Sequence, residues 1–210
     1  MLNTHEISCQ RGRHLLWENL NLTLVPGEVL FVKGENGRGK SSLLRMLAGL
    51  LLPYAGTITW KTQAIQQHRY EYQAELLYIG HQVPLKPELS AIENLSSLCQ
   101  LHGHVPSPSD IQQALATWMI IGNTMHLPTK QLSQGQKQRV ALTQLTLSNQ
   151  ALWILDEPFN GLDVQGSNIL KAHLEQHHTE QKLSVLTSHL HDNLQSLIPS
   201  LSTQEKILQL

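Results

Sequence analysis

Residues 34 to 42 read Gly34-Glu35-Asn36-Gly37-Arg38-Gly39-Lys40-Ser41-Ser42, and Gly34, Gly39, Lys40 and Ser41 satisfy the spacing G-x-x-x-x-G-K-[ST]. Glycines at such positions let successive backbone N–H groups turn inward around a phosphate, and the positive end of the following helix faces the same anion. In this reading Lys40 reaches the β- and γ-phosphates of a nucleoside triphosphate and the Ser41 hydroxyl ligates Mg²⁺. Arg38 has two readings, an added phosphate contact or a solvent-facing side chain. A second stretch, Ala151 to Pro158, reads ALWILDEP, an apolar run ending in two carboxylates. Asp156 is placed to hold Mg²⁺ through water and Glu157 to orient an attacking water as general base. Each pattern alone has a plain alternative, a glycine-rich turn or an acidic turn. Together they point to ATP and Mg²⁺.

The elements that must carry these residues alternate between short β-type runs and amphipathic stretches, as in an α/β domain with a largely parallel sheet. Strands are expected over Leu2–Ser8, Leu20–Leu24, Val29–Lys33, Thr57–Trp60, Leu76–Ile79, Leu152–Leu155, Ser184–Thr187 and Ile207–Leu210. Val29–Val32 and Leu152–Leu155 are solidly apolar, which suits strands buried on both faces. The phosphate loop therefore follows one buried strand and opens a helix over Lys40–Leu50. The carboxylates end the other strand.

Between Val83 and Lys130 the character changes. Prolines stand at 84, 87, 106 and 108, and Ile92, Leu95, Leu98 and Leu101 recur at helical spacing. Ser109-x-x-Gln112 reads as a capping box opening a second helix up to about Met119. This segment, 83–130, is expected to be a small helical lobe inserted in the α/β core of a single domain covering 1–210.

Lys+Arg number 15 and Asp+Glu 16, a net charge of −1, so no overall basic field draws the chain to nucleic acid. The longest apolar runs fall short of the roughly 20 residues a membrane span needs. The first residues, MLNTHEISCQ, carry no secretion or lipidation signal, and a cytoplasmic location is expected. Cys9 and Cys99 lack CxxC spacing and read as reduced, buried thiols. Of the 12 histidines, His102-x-His104 and His177-His178 are the pairs nearest to a metal or haem pattern, and both read as solvated.

Leu132 to Gln136 reads LSQGQ, shortly before the carboxylate strand. Here the sequence resembles the ATP-binding cassette (ABC) family, whose signature is usually LSGGQ, with Gln134 replacing a glycine. Gln82, Pro158, Asp163 in FNGLD and His189 stand where that family's further elements fall, and the resemblance covers essentially the whole chain. It implies a P-loop NTPase fold of the ABC nucleotide-binding type, with N-terminal antiparallel strands and an inserted helical subdomain. Independently of the name, Ser133 and Gly135 open a helix read over Gln134–Leu147, whose N-terminus offers free N–H groups to an anion.

The resemblance makes that anion the γ-phosphate held by a second ATPase subunit, contacted through Ser133, Gly135 and Gln136. It implies that Gln82 contacts Mg²⁺ and the catalytic water, that Asp163 communicates across the interface, and that His189 contacts the γ-phosphate and the catalytic water. Arg11 stands where the family usually stacks adenine on an aromatic side chain. A guanidinium can also stack, or Arg11 is simply solvated. More narrowly, Tyr78–Leu95 (YIGHQVPLKPELSAIENL) and Ala151–Asp163 (ALWILDEPFNGLD) are similar to the compact ATPases of cytochrome c maturation haem exporters. That likeness implies a peripheral subunit at the cytoplasmic face of the bacterial inner membrane, working as a homodimer with separate multi-span membrane subunits. Haem would be handled by those partners rather than by this chain. An ATPase for another small drug or polysaccharide exporter is the alternative, and a soluble P-loop kinase is the rival that leaves LSQGQ without a role.

Overall fold

The computed structural model describes residues 1–187 and 205–210. The chain divides into two compact units, one formed by Met1–Tyr78, Gln150–Glu157 and Glu175–Leu210, the other by Ile79–Asn149 and Pro158–Leu174.

The first unit opens with strands β1 (Leu2–Arg11), β2 (His14–Leu24) and β3 (Val29–Lys33), then helix α1 (Lys40–Leu47). Strands β4 (Ala55–Trp60) and β5 (Gln63–Ala64), helix α2 (Arg69–Ala74) and strand β6 (Leu76–Ile79) follow. Later segments add β7 (Leu152–Leu155), β8 (Leu183–Thr187) and β9 (Glu205–Gln209). Strands β2-β1-β4-β5 form an antiparallel sheet, and β6-β7-β8-β3-β9 form a second sheet in which β7, β8, β3 and β9 run parallel. Every residue of β7 and all of β3 except Lys33 are buried, which is why these runs carry no alternation. Strand β2 does alternate over Leu20–Leu24, because one face packs on the core and the other meets water. Leu30, Val32, Leu43, Leu47, Ile154 and Val185 fill the core between the parallel sheet and α1.

Helix α1 stops at Leu47, short of the expected Leu50. Gly49 adopts φ 70°, the left-handed geometry with which helices commonly end. Both cysteines are free and buried, as read from the sequence.

His177 departs from the expectation of a solvated histidine. It is buried, its ring stacks on Trp153 with centroids 3.6 Å apart, and its two nitrogens meet Ser184 Oγ and the Gln150 carbonyl, each at 3.1 Å. Burial pushes its pKa from 6.5 down to about 4, so the folded protein holds it neutral. The unfolded chain takes up the proton first as pH falls, so this contribution to stability is complete above about pH 6.5 and is lost down to about pH 4. The total is about 3 kcal/mol by linkage. Urea unfolding between pH 7 and 4.5 is expected to show this slope in the native chain and a shallower one in His177→Gln.

The second unit is helical. It contains α3 (Ala91–Leu101), α4 (Pro108–Thr117), α5 (Gln134–Leu142), α6 (Gln144–Leu147) and the first part of α7 (Val164–Thr179), with 3₁₀ turns at Gly122–Met125 and Thr129–Gln131. Ala91, Leu95, Ile111, Leu115, Ile120 and Val140 pack its core. The capping box of α4 is Ser107 with Asp110, two residues before the expected Ser109, and Pro108 sits in the first turn, where its missing N–H costs nothing. The buried face of α3 runs through Ala91, Asn94, Leu95 and Cys99, whereas Leu101, in the last turn, is 82% exposed. Asn94 was not part of the expected stripe because its role is polar. Its side chain accepts from Lys86 N–H at 2.7 Å and donates to the carbonyls of Lys86, Leu89 and Ser90, fixing the loop before the helix. The helix read as continuous over Gln134–Leu147 breaks at Thr143, whose hydroxyl donates back to the Arg139 carbonyl at 2.9 Å.

Candidate functional site

The phosphate loop joins β3 to α1 in the first unit, where a parallel strand meets a helix N-terminus. Glu35, Asn36, Gly37 and Arg38 are exposed, whereas Lys40 is only 6% exposed. The Lys40 ammonium donates to the Gly34 carbonyl at 2.7 Å and the Glu35 carbonyl at 3.0 Å, so the lysine spans the loop from inside. Arg38 points the other way and pairs with Glu35 at 3.4 Å on the loop's outer side. Gly39 caps α1 with φ 96°, and a Cβ there would lie 2.7 Å from Trp17 Nε1 and 3.2 Å from Leu16 Cδ1. Only glycine combines that backbone with that approach. Ser41 and Ser42 are half-buried in the first turn of α1, and Cys9 of β1 lies beside the Ser42 hydroxyl.

Trp17 was not singled out by any motif, since nothing in its local sequence ties it to a loop far along the chain. Among the described residues its buried indole N–H has no hydrogen-bond partner, as is true of Trp60 and Trp153, and of these three Trp17 borders the phosphate loop. Arg11, one residue from the β1–β2 turn and paired in register with His14, is exposed.

The carboxylates follow β7. Because β7 and β3 flank β8 and all run parallel, their C-terminal ends share one edge of the sheet. This places Asp156 and Glu157 on the same edge as the phosphate loop, as ligand sites of open α/β sheets require. Asp156 is buried. Its Oδ1 accepts from the Thr187 hydroxyl at 2.7 Å, and its Oδ2 is buried with no hydrogen-bond partner among the described residues. An unpartnered buried carboxylate oxygen is costly unless a ligand completes it, which fits a residue that holds hydrated Mg²⁺. Glu157 is half-buried with φ 55°, and its N–H donates to Thr187 Oγ1 at 2.8 Å. Tyr78 lies near Asp156, its phenol pKa raised by burial, with Arg45 hydrogen-bonded to it.

In the second unit, Ser133 is the N-cap of α5. Its hydroxyl accepts from Gln136 N–H at 3.2 Å while Gln136 Oε1 accepts from Ser133 N–H at 2.9 Å. LSQGQ is thus a capping box that presents a helix N-terminus. Gly135 is needed for a different reason: a Cβ there would stand 2.8 Å from the Gly161 carbonyl. The FNGLD turn is bound to the same helix, because Arg139 grips both oxygens of Asp163 at 2.6 and 2.5 Å. Gly166 N–H also donates to Asp163 at 2.8 Å, and these bonds hold the carboxyl below its ordinary pKa. Gln82 is exposed in this second unit. His189 lies outside the described residues. Among the described residues no group of His, Cys, Asp and Glu is placed to hold a metal by itself.

Known proteins match both the fold and the sequence. A family model described as ABC transporter matches residues 17–160. The chain is 46% identical over 183 residues to the cytochrome c biogenesis ATP-binding export protein CcmA of Methylococcus capsulatus, covering 87% of this chain and 88% of that protein. It is 43% identical to the protein of the same name from Histophilus somni, over 90% of this chain and 86% of that one. Among solved structures, a dimeric ATP-binding cassette in a post-hydrolysis state bound to ADP and Pi superposes with a TM-score of 0.81 at 21% identity, covering 100% of this chain and 94% of that one. A putative ABC transporter ATP-binding protein from Pyrococcus furiosus gives 0.81 at 22% identity, over 99% and 96% of the two chains. The chain is thus an ATPase and belongs to the ABC transporter family, among its cytochrome c biogenesis ATP-binding export proteins.

Proposed function

We propose that this chain is the ATP-hydrolysing subunit of a membrane ABC complex for c-type cytochrome biogenesis, coupling ATP binding and hydrolysis to conformational change in separate membrane subunits. The observation that carries this reading is the 46% identity over 87% of the chain to a cytochrome c biogenesis ATP-binding export protein. Among the described residues no helix is long and apolar enough to cross a membrane, which accords with a peripheral subunit at the cytoplasmic face of the inner membrane.

In this reading Gly34 to Ser42 cradle the phosphates, Lys40 binds the β- and γ-phosphates, and Ser41, Asp156 and Gln82 hold Mg²⁺. When bound, Mg²⁺ neutralises charge on the β- and γ-phosphate oxygens. Glu157 accepts a proton from the attacking water, with His189 and Gln82 at the γ-phosphate end. Arg11 is the candidate base-stacking group. Ser133, Gly135 and Gln136 serve the nucleotide of a second copy, so hydrolysis needs two chains. The whole chain acts as one ABC domain, with the helical lobe at 83–130 relaying nucleotide state to the membrane partners. ATP is spent on release of a haem-loaded chaperone, and haem does not touch this chain.

Cells carrying Lys40→Ala are expected to lack mature c-type cytochromes while still loading haem onto the chaperone, which stays bound to its membrane complex. Haem staining and chaperone pull-down read the two halves of this result. Normal c-type cytochromes would overturn the assignment and favour a different small exporter.

Dimer formation supplies a separate prediction. Gly135→Asp places a carboxylate at the α5 N-terminus and drives a Cβ against the Gly161 carbonyl, 2.8 Å from that position. Light scattering is expected to show ATP-dependent dimers for Glu157→Gln and none for the double variant Glu157→Gln/Gly135→Asp. Equal behaviour of the two would count against a shared site.

A further inference from the structure

Thr187 joins the parts of the hydrolytic site without belonging to any motif that marks it. It ends β8 and is fully buried. A hydroxyl has one proton to give and lone pairs to receive with. Here the proton goes to Asp156 Oδ1 at 2.7 Å, and a lone pair takes the Glu157 N–H at 2.8 Å. Both bond directions are therefore set. The parallel register pairs Thr187 with Val32 of β3 and Leu186 with Leu155 of β7, so this hydroxyl sits on the strand between the phosphate-loop strand and the carboxylate strand.

Two features of the carboxylates depend on it. With Oδ1 engaged, the Asp156 carboxylate cannot rotate freely, and Oδ2 remains its one buried acceptor without a partner among the described residues. With its N–H engaged, the Glu157 backbone is held at φ 55°, a conformation that side-chain-bearing residues rarely adopt.

We propose that Thr187 is a positioning residue for ATP hydrolysis: its hydroxyl aims the free oxygen of Asp156 and fixes the backbone that presents Glu157. The proposal rests on the ATPase reading of the site. Groups that orient a metal-holding carboxylate typically change metal affinity by about 10–100-fold when removed.

Thr187→Val keeps the shape and removes the hydroxyl. The purified full chain is titrated with Mn²⁺ in the presence of ATP, and free Mn²⁺ is followed by electron paramagnetic resonance. Thr187→Val is expected to weaken Mn²⁺ binding at least tenfold, with metal-free ATP affinity unchanged, and Thr187→Ser to restore it. Should the valine variant fail to fold, Thr187→Ala against Thr187→Ser isolates the same hydroxyl. Native Mn²⁺ affinity in the hydroxyl-free variant overturns the proposal. Glu157→Gln, assayed in parallel, separates the two levels: unimpaired turnover there would overturn the ATPase site itself, whereas loss of turnover with native Mn²⁺ affinity in Thr187→Val overturns positioning alone.

Discussion

Replacing Glu157 by glutamine is expected to lower ATP turnover by about 10²–10⁴-fold while ATP still binds, the range for loss of a general base. The substitution keeps side-chain size, and the backbone bond from Glu157 N–H to Thr187 is unaffected by it. The negative charge is removed, and with it the ability to accept a proton. Phosphate release from the complex with its membrane partners reports turnover, and calorimetry with ATP on the purified chain reports binding. Turnover at the native rate would remove Glu157 from the chemistry, and a parallel loss of binding would reassign it to the nucleotide cradle.

Lys40→Ala is expected to act one step earlier and weaken ATP binding by about 100-fold. The ammonium bridges the Gly34 and Glu35 carbonyls at 2.7 and 3.0 Å and is nearly buried. Its loss takes a positive charge from an anion site and leaves two loop carbonyls without their donor. A hydrogen bond to a charged group is worth about 1.5–3 kcal/mol, which sets the fold-change. Lys40→Arg is not expected to rescue, because a planar guanidinium does not fit where a compact ammonium spans a tight loop. Titration with a fluorescent ATP analogue distinguishes these outcomes, and native affinity in Lys40→Ala would refute the assignment.

The two strands that lead into the phosphate loop and the paired carboxylates were legible to the residue: Val29–Lys33 and Leu152–Leu155 have the bounds read from the sequence. Their apolar runs end abruptly at Lys33 and Asp156, and burial on both faces leaves no period to misread. Leu76–Ile79 matches for the same reason. Departures occur where a polar group settles the local structure. Asn94, rather than Leu101, belongs to the buried face of α3, and a back-bonded Thr143 divides a helix whose apolar pattern is unbroken. His177 reads as polar and therefore solvated until Trp153, Ser184 and Gln150 supply ring and hydrogen-bond partners. Thr187 and Trp17 were illegible as site residues because strand register and hairpin packing, which have no local signature, bring them there. The capped start of LSQGQ, by contrast, was written locally, in Ser133 and Gln136.

The left-handed backbone at Glu157 sets stability against chemistry. A conformation of this kind costs a side-chain-bearing residue about 1–2 kcal/mol that glycine does not lose. Glycine at 157 would thus relieve the backbone and, at the same stroke, remove the group assigned to take the proton. Laboratory evolution for heat resistance alone would favour that exchange, and selection for turnover would oppose it. The position therefore marks where thermostabilising this ATPase would quietly disarm it.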